Sequence, residues 1–431
     1  MSAKASFTSP KVGLVFAVML VVQSFLMKLS ISSSVPLLHF WDELVVLLMV
    51  PGAVVLLLKI RDAGFRALFL KVLSVYALVL FVVTLSGESN FGQALYQLVL
   101  DLKYPIVMLF CVACYRKGES EAVLGRFLKV VLWLNVPIVL FQLLYPGAYN
   151  SVFVNGSHFG VFSFGGINFS RAVGLFWFTG VFALFCAAST AFFMTRATLD
   201  DERASSRFYA CLALLMLLST LSRGEIIGVA VGGALVWYVY FTRGFFKPLV
   251  MPLLAFLVFL LMIYFDSFFQ GMFAEIWVSR PLEDLAPRAA FYQAAVEIAN
   301  DYFPGGAGLG TFGGAAAVHY DSSLFYTYGI SDGWYFQHGM YLTDTFWPKV
   351  LAESGFFGAG VALVFYTIPI WMGISCKKVE LSICFSLCMA VFLFVNSLSS
   401  PIYGSVFSVL ISSFLFGGVL LERLDRGCES D

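Results

Sequence analysis

Charged residues are scarce in this sequence. Lys, Arg, Asp and Glu together supply 12% of its 431 residues, about half of the roughly 25% that a soluble domain carries. The chain therefore cannot clothe itself in a water-compatible surface. Net charge is also lacking, at +0, which argues against a basic footprint for nucleic acid and against a polybasic lipid anchor. Histidine is limited to four positions. His319 and His338, far apart among scattered acids, lack metal-ligand spacing, so neither a metal nor a cofactor is expected. No cysteine falls in a segment expected outside the membrane, which leaves no disulfide framework. Cys111 and Cys114 form a CxxC inside an apolar run and read as packing. Heptads, internal repeats and a soluble domain are absent. The first apolar run is followed by no cleavage site and reads as a retained helix.

What is present is apolar surface. Hydrophobic residues make up 60% and aromatics 17%, with mean hydropathy +0.89. Runs of spanning length recur from end to end, and predict an all-α polytopic transmembrane helical bundle of about twelve spans. They lie near 12–28, 41–58, 72–87, 102–115, 127–146, 172–194, 208–222, 225–242, 248–265, 346–374, 380–397 and 404–421, the one at 102–115 preceded by an interfacial helix around Gln93–Leu100. Of the 26 Lys and Arg, all but Lys28, Lys103, Arg171, Arg223, Arg280, Arg288 and Lys349 fall in alternate connecting segments. By the positive-inside rule both termini are cytoplasmic. The chain divides into N-terminal spans (1–265), a large external loop (266–345) and C-terminal spans with a cytoplasmic tail (346–431). A loop of that length exceeds what a helix connection needs and points to function. Within it, residues 285–301 have apolar positions at helical spacing and predict an amphipathic helix on the membrane surface.

Basic residues on the external side, against the usual bias, need a reason. An arginine at membrane depth is a functional hypothesis by default. The guanidinium of Arg171, Arg223, Arg280 or Arg288 presents a rigid fork that pairs bidentately with phosphate oxygens, and several on one cavity suit a lipid-linked pyrophosphate. Arg223 stands in Ser222-Arg223-Gly224-Glu225, where Glu225 is its expected partner. The loop contains DYFPGGAGLGTFGG; Gly308, Gly310 and Gly313 match GxGxxG, but no strand precedes them, so a glycine-rich turn is the better reading. Farther on, His338, Asp344 and Glu353 are candidates for a general base toward a sugar hydroxyl. Asp344 alternatively caps the following helix, and Glu353 alternatively neutralises Lys349 at i, i+4.

Taken in order, Arg171 with Gly174 and Phe176, Ser222-Arg223-Gly224, Arg288 before an amphipathic helix, FPGGAGLGTF, and TDTFWPKVLAESGFFG leading into a span resemble the O-antigen polymerase and O-antigen ligase superfamily. The resemblance runs from about residue 165 to 360. It implies a multi-helix, GT-C-like fold in the bacterial inner membrane and a metal-independent inverting glycosyltransferase. The donor would be a glycan on undecaprenyl pyrophosphate at the periplasmic face, with membrane lipids and a polysaccharide chain-length regulator as further partners. Arg171, Arg223 and Arg288 are implied to hold the pyrophosphate; Arg280 joins them as a candidate from its place in the sequence, as do Glu225 and Lys349 as supporting residues. Ligases of the family carry a histidine where the loop meets the late span. Here that place reads Thr343-Asp344, with His338 six residues earlier. Aspartate there points to a polymerase of lipid-linked repeat units. The alternatives are a ligase acting on lipid A core or protein, with His338 as base, and a flippase, which would place its charges along helix interiors and broken helices.

Overall fold

The computed structural model describes residues 9–29, 38, 40–59, 74, 78, 79, 82, 83, 89–153, 161–164, 167–199, 203–241 and 287–427. The expected span at 248–265, almost all of that at 72–87, the first part of the loop and Arg280 lie outside these residues.

The first half is built of α1 (Pro10–Lys28), α2 (Trp41–Lys59), α3 (Phe91–Asp101), α4 (Lys103–Cys114), α5 (Glu119–Leu144) and the short α6 (Pro146–Val152). A hairpin of β1 (Val161–Phe164) and β2 (Ile167–Ser170) follows, pairing Val161 with Ser170 and Phe164 with Ile167. Apart from that hairpin the described residues are helices and their connections, as the all-α expectation has it. Then come α7 (Thr179–Leu199), α8 (Arg203–Ser219) and α9 (Arg223–Val236), which continues as a π-helical turn to Phe241. The second half contains α10 (Pro287–Asp301), the short loop helices α11 (Ala315–His319), α12 (Leu324–Thr327) and α13 (Trp334–Gln337), and then α14 (Trp347–Ser375), α15 (Leu381–Ser397), α16 (Val406–Ser413) and α17 (Phe416–Gly427). Six helical stretches among the described residues are long and apolar enough to cross a membrane: α1, α3 with α4, α5, α7, α9 with its π turn, and α14. The expected final span, 404–421, divides between α16 and α17.

Apolar runs form helices here because only a helix satisfies its backbone internally in lipid. The apolar surface facing the bilayer supplies little drive for helices to associate, so close packing must hold the bundle together. One seam shows how. Gly224, Gly228 and Gly232 recur every fourth residue on α9 and meet Asn396, Phe392 and Cys388 of α15, also four apart. A Cβ on Gly228 would stand 3.0 Å from Phe392, and one on Gly232 would reach the Cys388 backbone.

Ion pairs and hydrogen bonds mark the two ends of the bundle. At the loop end lie Lys28, closing α1, the Lys103–Asp42 and Lys103–Glu43 pairs (2.7 and 2.6 Å), and the Trp347 Nε1 bond to Ser397 (2.8 Å). Lys117–Glu380 (2.9 Å) marks the other end. The loop has a core of its own, of Phe291, Ile298, Phe312, Phe325, Ile330 and Tyr335 around the alanines of α10. The predicted helix at 285–301 is therefore real, but its apolar face is buried against this core and α14 rather than laid on a membrane surface.

α14 is broken at Gly355, whose φ is 65° and ψ −174°. The glycine-rich turn fills the break. Ala307 N–H donates to Ala352 O (2.9 Å) and Gly308 N–H to Glu353 O (3.0 Å), carbonyls that the interrupted helix leaves without partners. A Cβ on Gly355 would strike Pro304 O and stand 2.7 Å from Gly306 N. Only glycines allow this approach.

Candidate functional site

At the loop end of the bundle, the segment after β2 is fastened peptide by peptide. Gln142 of α5 donates to Arg171 O (2.9 Å) and accepts from Val173 N–H (2.9 Å). Asn135 accepts from Leu175 N–H (2.7 Å), and Ala172 N–H donates to Ser219 O (3.0 Å). The buried ammonium of Lys28 donates to Gly174 O and to Phe176 O (3.1 Å), with the rings of Tyr149 and Phe153 at 4.8 and 5.2 Å. A backbone held at so many points gives Arg171 a fixed origin. Its side chain donates from Nε to Thr220 O (3.0 Å) and from Nη2 to Ser222 Oγ (3.2 Å).

Arg223 follows directly from that contact. Leu221, at φ 52°, turns the chain sharply between α8 and α9, and Arg223 is the first residue of α9. Glu225 lies in the same first turn, where the helix dipole favours an anion. A Cβ on Gly180, in the first turn of α7, would stand 3.3 Å from its Oε1, so two helix N-termini meet at this carboxylate.

The third arginine comes from the loop. Arg288, in the first turn of α10, donates from Nε (2.9 Å) and Nη2 (2.6 Å) to the same oxygen of Asp344, Oδ2. The two side chains keep 32% and 25% of their surface exposed. Tyr292, one turn along α10, fixes the helix to the end of α15 through Leu398 O (2.7 Å). Arg171 lies within electrostatic range of Glu225, Arg223 and Arg288. Three guanidinium groups and two carboxylates thus share one partly buried patch. Burial lowers the Arg171 pKa, with Glu225 pulling it back up. Burial also raises the Asp344 carboxyl above the usual carboxylate range, and the Arg288 guanidinium opposes that without cancelling it.

Lys349 and Glu353, also singled out in the sequence, go elsewhere, and His338 stands in the loop. Lys349 forms its direct ion pair with Asp101 at the end of α3, with Glu353 also within electrostatic range. Glu353 turns to the glycine-rich loop, where its Oε1 accepts from Phe312 N–H (3.3 Å). Gln93 of α3 grips the same loop through Gly310 O (2.6 Å). Lys349 and Glu353 thus fasten α3, α14 and the loop together. His338 is exposed at the end of α13, and its Nδ1–H donates to Trp334 O (2.7 Å). The three lysines among the minority basic residues are engaged in holding the structure, on carbonyls or acids, whereas the described arginines converge.

Sequence reasoning missed Lys28, Asn135, Gln142 and Gln93 as parts of this arrangement. The signal was available, since polar side chains inside apolar helices seldom stand without a task.

The helices and their charges define an integral membrane protein with a polar site at one end of its bundle. Residues 208–366 match the family model described as O-antigen ligase. This stretch contains Arg223, Glu225, Arg288, His338, Asp344, Lys349 and Glu353, while Arg171 lies before it. The match supports the O-antigen ligase and polymerase superfamily for this stretch, which is less than half of the chain. No curated protein matches the chain.

Proposed function

We propose that the protein polymerises lipid-linked oligosaccharide repeat units, for O-antigen or exopolysaccharide, at the periplasmic face of the bacterial inner membrane. The growing chain on undecaprenyl pyrophosphate is the donor, and the non-reducing end of a new lipid-linked unit is the acceptor. The acceptor hydroxyl attacks the anomeric carbon and a C–O bond forms. The bond to the pyrophosphate breaks with inversion, and undecaprenyl pyrophosphate leaves. Asp344 takes the hydroxyl proton. Arg171, Arg223 and Arg288 meet the negative charge that grows on the leaving pyrophosphate, the interaction that is stronger in the transition state than in the ground state. Arg280 is assigned to the same group by its sequence position. Glu225 orients the arginines near it.

One observation supports this reading: Arg288, which holds Asp344, is in electrostatic range of Arg171, and Arg171 of Arg223, as a base beside an anion clamp requires. A ligase is the second reading. It is favoured by the exposed imidazole of His338, which Trp334 O holds through Nδ1 so that Nε2 is the nitrogen left for an acceptor hydroxyl.

The test uses purified protein with undecaprenyl-pyrophosphate oligosaccharide as the only substrate. A ladder of products spaced by one repeat unit is the expected result. Transfer that appears only after lipid A core is added establishes the ligase instead. Arg223→Ala is expected to abolish product in a folded protein, and Arg223→Lys to restore little, because a point charge does not replace the planar fork. Full activity of Arg223→Ala refutes the clamp.

A further inference from the structure

Beside Asp344 the loop carries an exposed aromatic edge that the chemistry above does not use. Trp334, 50% exposed, and Tyr341, 46% exposed, stand edge to face with centroids 6.0 Å apart at 80°. His338 lies on the other flank of the indole at 6.5 Å, its Nδ1–H tied to the Trp334 carbonyl. Gly339 has open space where a Cβ would project. The edge is continuous with the proposed base, because Asp344 N–H donates to Tyr341 O (3.0 Å) in a tight turn.

Two features mark this edge. The exposed flanks of the spans are mostly aliphatic, as at Val15, Leu134 and Val364, with rings such as Trp133 and Trp371 among them, whereas here indole, phenol and imidazole stand together. Tyr341 also holds φ at 61°, a conformation costly for a bulky aromatic residue and one the loop maintains at the border of the site.

The geometry points to a saccharide-binding subsite on Trp334 and Tyr341, flanked by His338, for the sugar adjoining the reacting bond. This rests on the polymerase reading and adds where the glycan lies. A pyranose ring has one face of C–H bonds and a rim of hydroxyls. The electron-rich face of an indole or phenol attracts the C–H groups, and a His338 Nε2 acceptor, the Tyr341 hydroxyl and the nearby acids suit the rim. A sugar held there sits one turn of chain from Asp344, and its pyrophosphate can reach the arginines.

The experiment measures binding rather than turnover. Full-length protein in nanodiscs is titrated with two probes. One is the oligosaccharide freed by mild acid from the lipid-linked pool of the cells that make the protein. The other is geranyl pyrophosphate, which carries no sugar. Wild type is expected to bind both. Trp334→Ala is expected to weaken oligosaccharide binding about tenfold and to leave geranyl pyrophosphate unchanged; Trp334→Phe retains part of the affinity, which shows the fold intact. Arg223→Ala is expected to do the reverse. Equal oligosaccharide binding by wild type, Trp334→Ala and Tyr341→Ala overturns the subsite, as does no oligosaccharide binding by wild type. So does quenching of Trp334 by brominated lipid, read as the difference between wild type and Trp334→Phe, because the ring would then be a membrane anchor. Loss of geranyl pyrophosphate binding in wild type speaks against the clamp and not against the subsite.

Discussion

Asp344→Asn separates stability from catalysis. In the folded protein Asp344 accepts two bonds from Arg288 on Oδ2, and an asparagine carbonyl in the same place can still accept from that fork. Removing one partner of a buried ion pair costs about 3–5 kcal/mol, while exposed pairs are worth about 0.2–1 kcal/mol. With 32% and 25% of the side chains exposed, this pair lies between those limits. Burial nevertheless raises the Asp344 pKa despite Arg288, so ionisation of the carboxyl is itself disfavoured by the fold. A raised carboxyl pKa means that the folded state holds the proton more tightly than the unfolded one. Its contribution to stability is present below the ordinary carboxylate pKa of about 3.9 and is lost as pH rises through the raised value. Asparagine has no such loss to suffer. The net cost of Asp344→Asn at neutral pH is therefore expected to be about 1 kcal/mol or less. Loss of a general base should instead cost about 10²–10⁴-fold in rate. The assays are thermal unfolding in detergent and the rate of ladder formation on the same preparations. In wild type, kcat/KM should fall as the pH is lowered through the Asp344 pKa, at a higher pH than an exposed aspartate would give, and that acid limb should vanish from the residual activity of the variant. A rate within tenfold of wild type refutes Asp344 as the base. Equal collapse of stability and activity refutes the account of the pair.

Gly355→Ala forces a side chain into a φ, ψ region that is essentially restricted to glycine and against Pro304 O, and should cost about 1–3 kcal/mol in backbone strain before the clash is counted. Gly360→Ala on the same helix meets nothing within 4 Å and should leave the melting temperature unchanged or raised; equal effects of the two would refute the interlocked break. Lys28→Met leaves Phe176 O without its donor while Tyr149 still serves Gly174 O at 3.3 Å, so destabilisation of about 1–3 kcal/mol is expected. An unchanged melting temperature would show that the ammonium does not hold this segment.

Legibility followed the range of the interactions. Spans such as α14 and α15 announce themselves because a helix in lipid needs only its own local run of apolar residues. Arg171, Arg223 and Arg288 stood out because each breaks a statistical rule that operates loop by loop. The helix at Pro287–Asp301 was legible and its setting was not, since periodicity tells which face is buried but not what covers it. The i, i+4 rule paired Lys349 with Glu353, and a more distant acid, Asp101, took the lysine. Gly355 looked like any glycine in an apolar helix. Its meaning depends on Pro304 and Gly306, which only folding brings beside it. Lys28 was visible as a misplaced charge, yet its partners are carbonyls far along the chain, and a carbonyl leaves no mark in a sequence.

The turn lodged in the break of α14 has a mechanical consequence. Its N–H groups at Ala307 and Gly308 are the partners of the carbonyls that the break sets free, and Gln93 and Glu353 grip it from either side. Swinging this turn outward would strand those carbonyls in an apolar interior, so it is a masonry wall and not a door. On the proposed reading, a glycan passing this turn would meet a surface that does not yield to it.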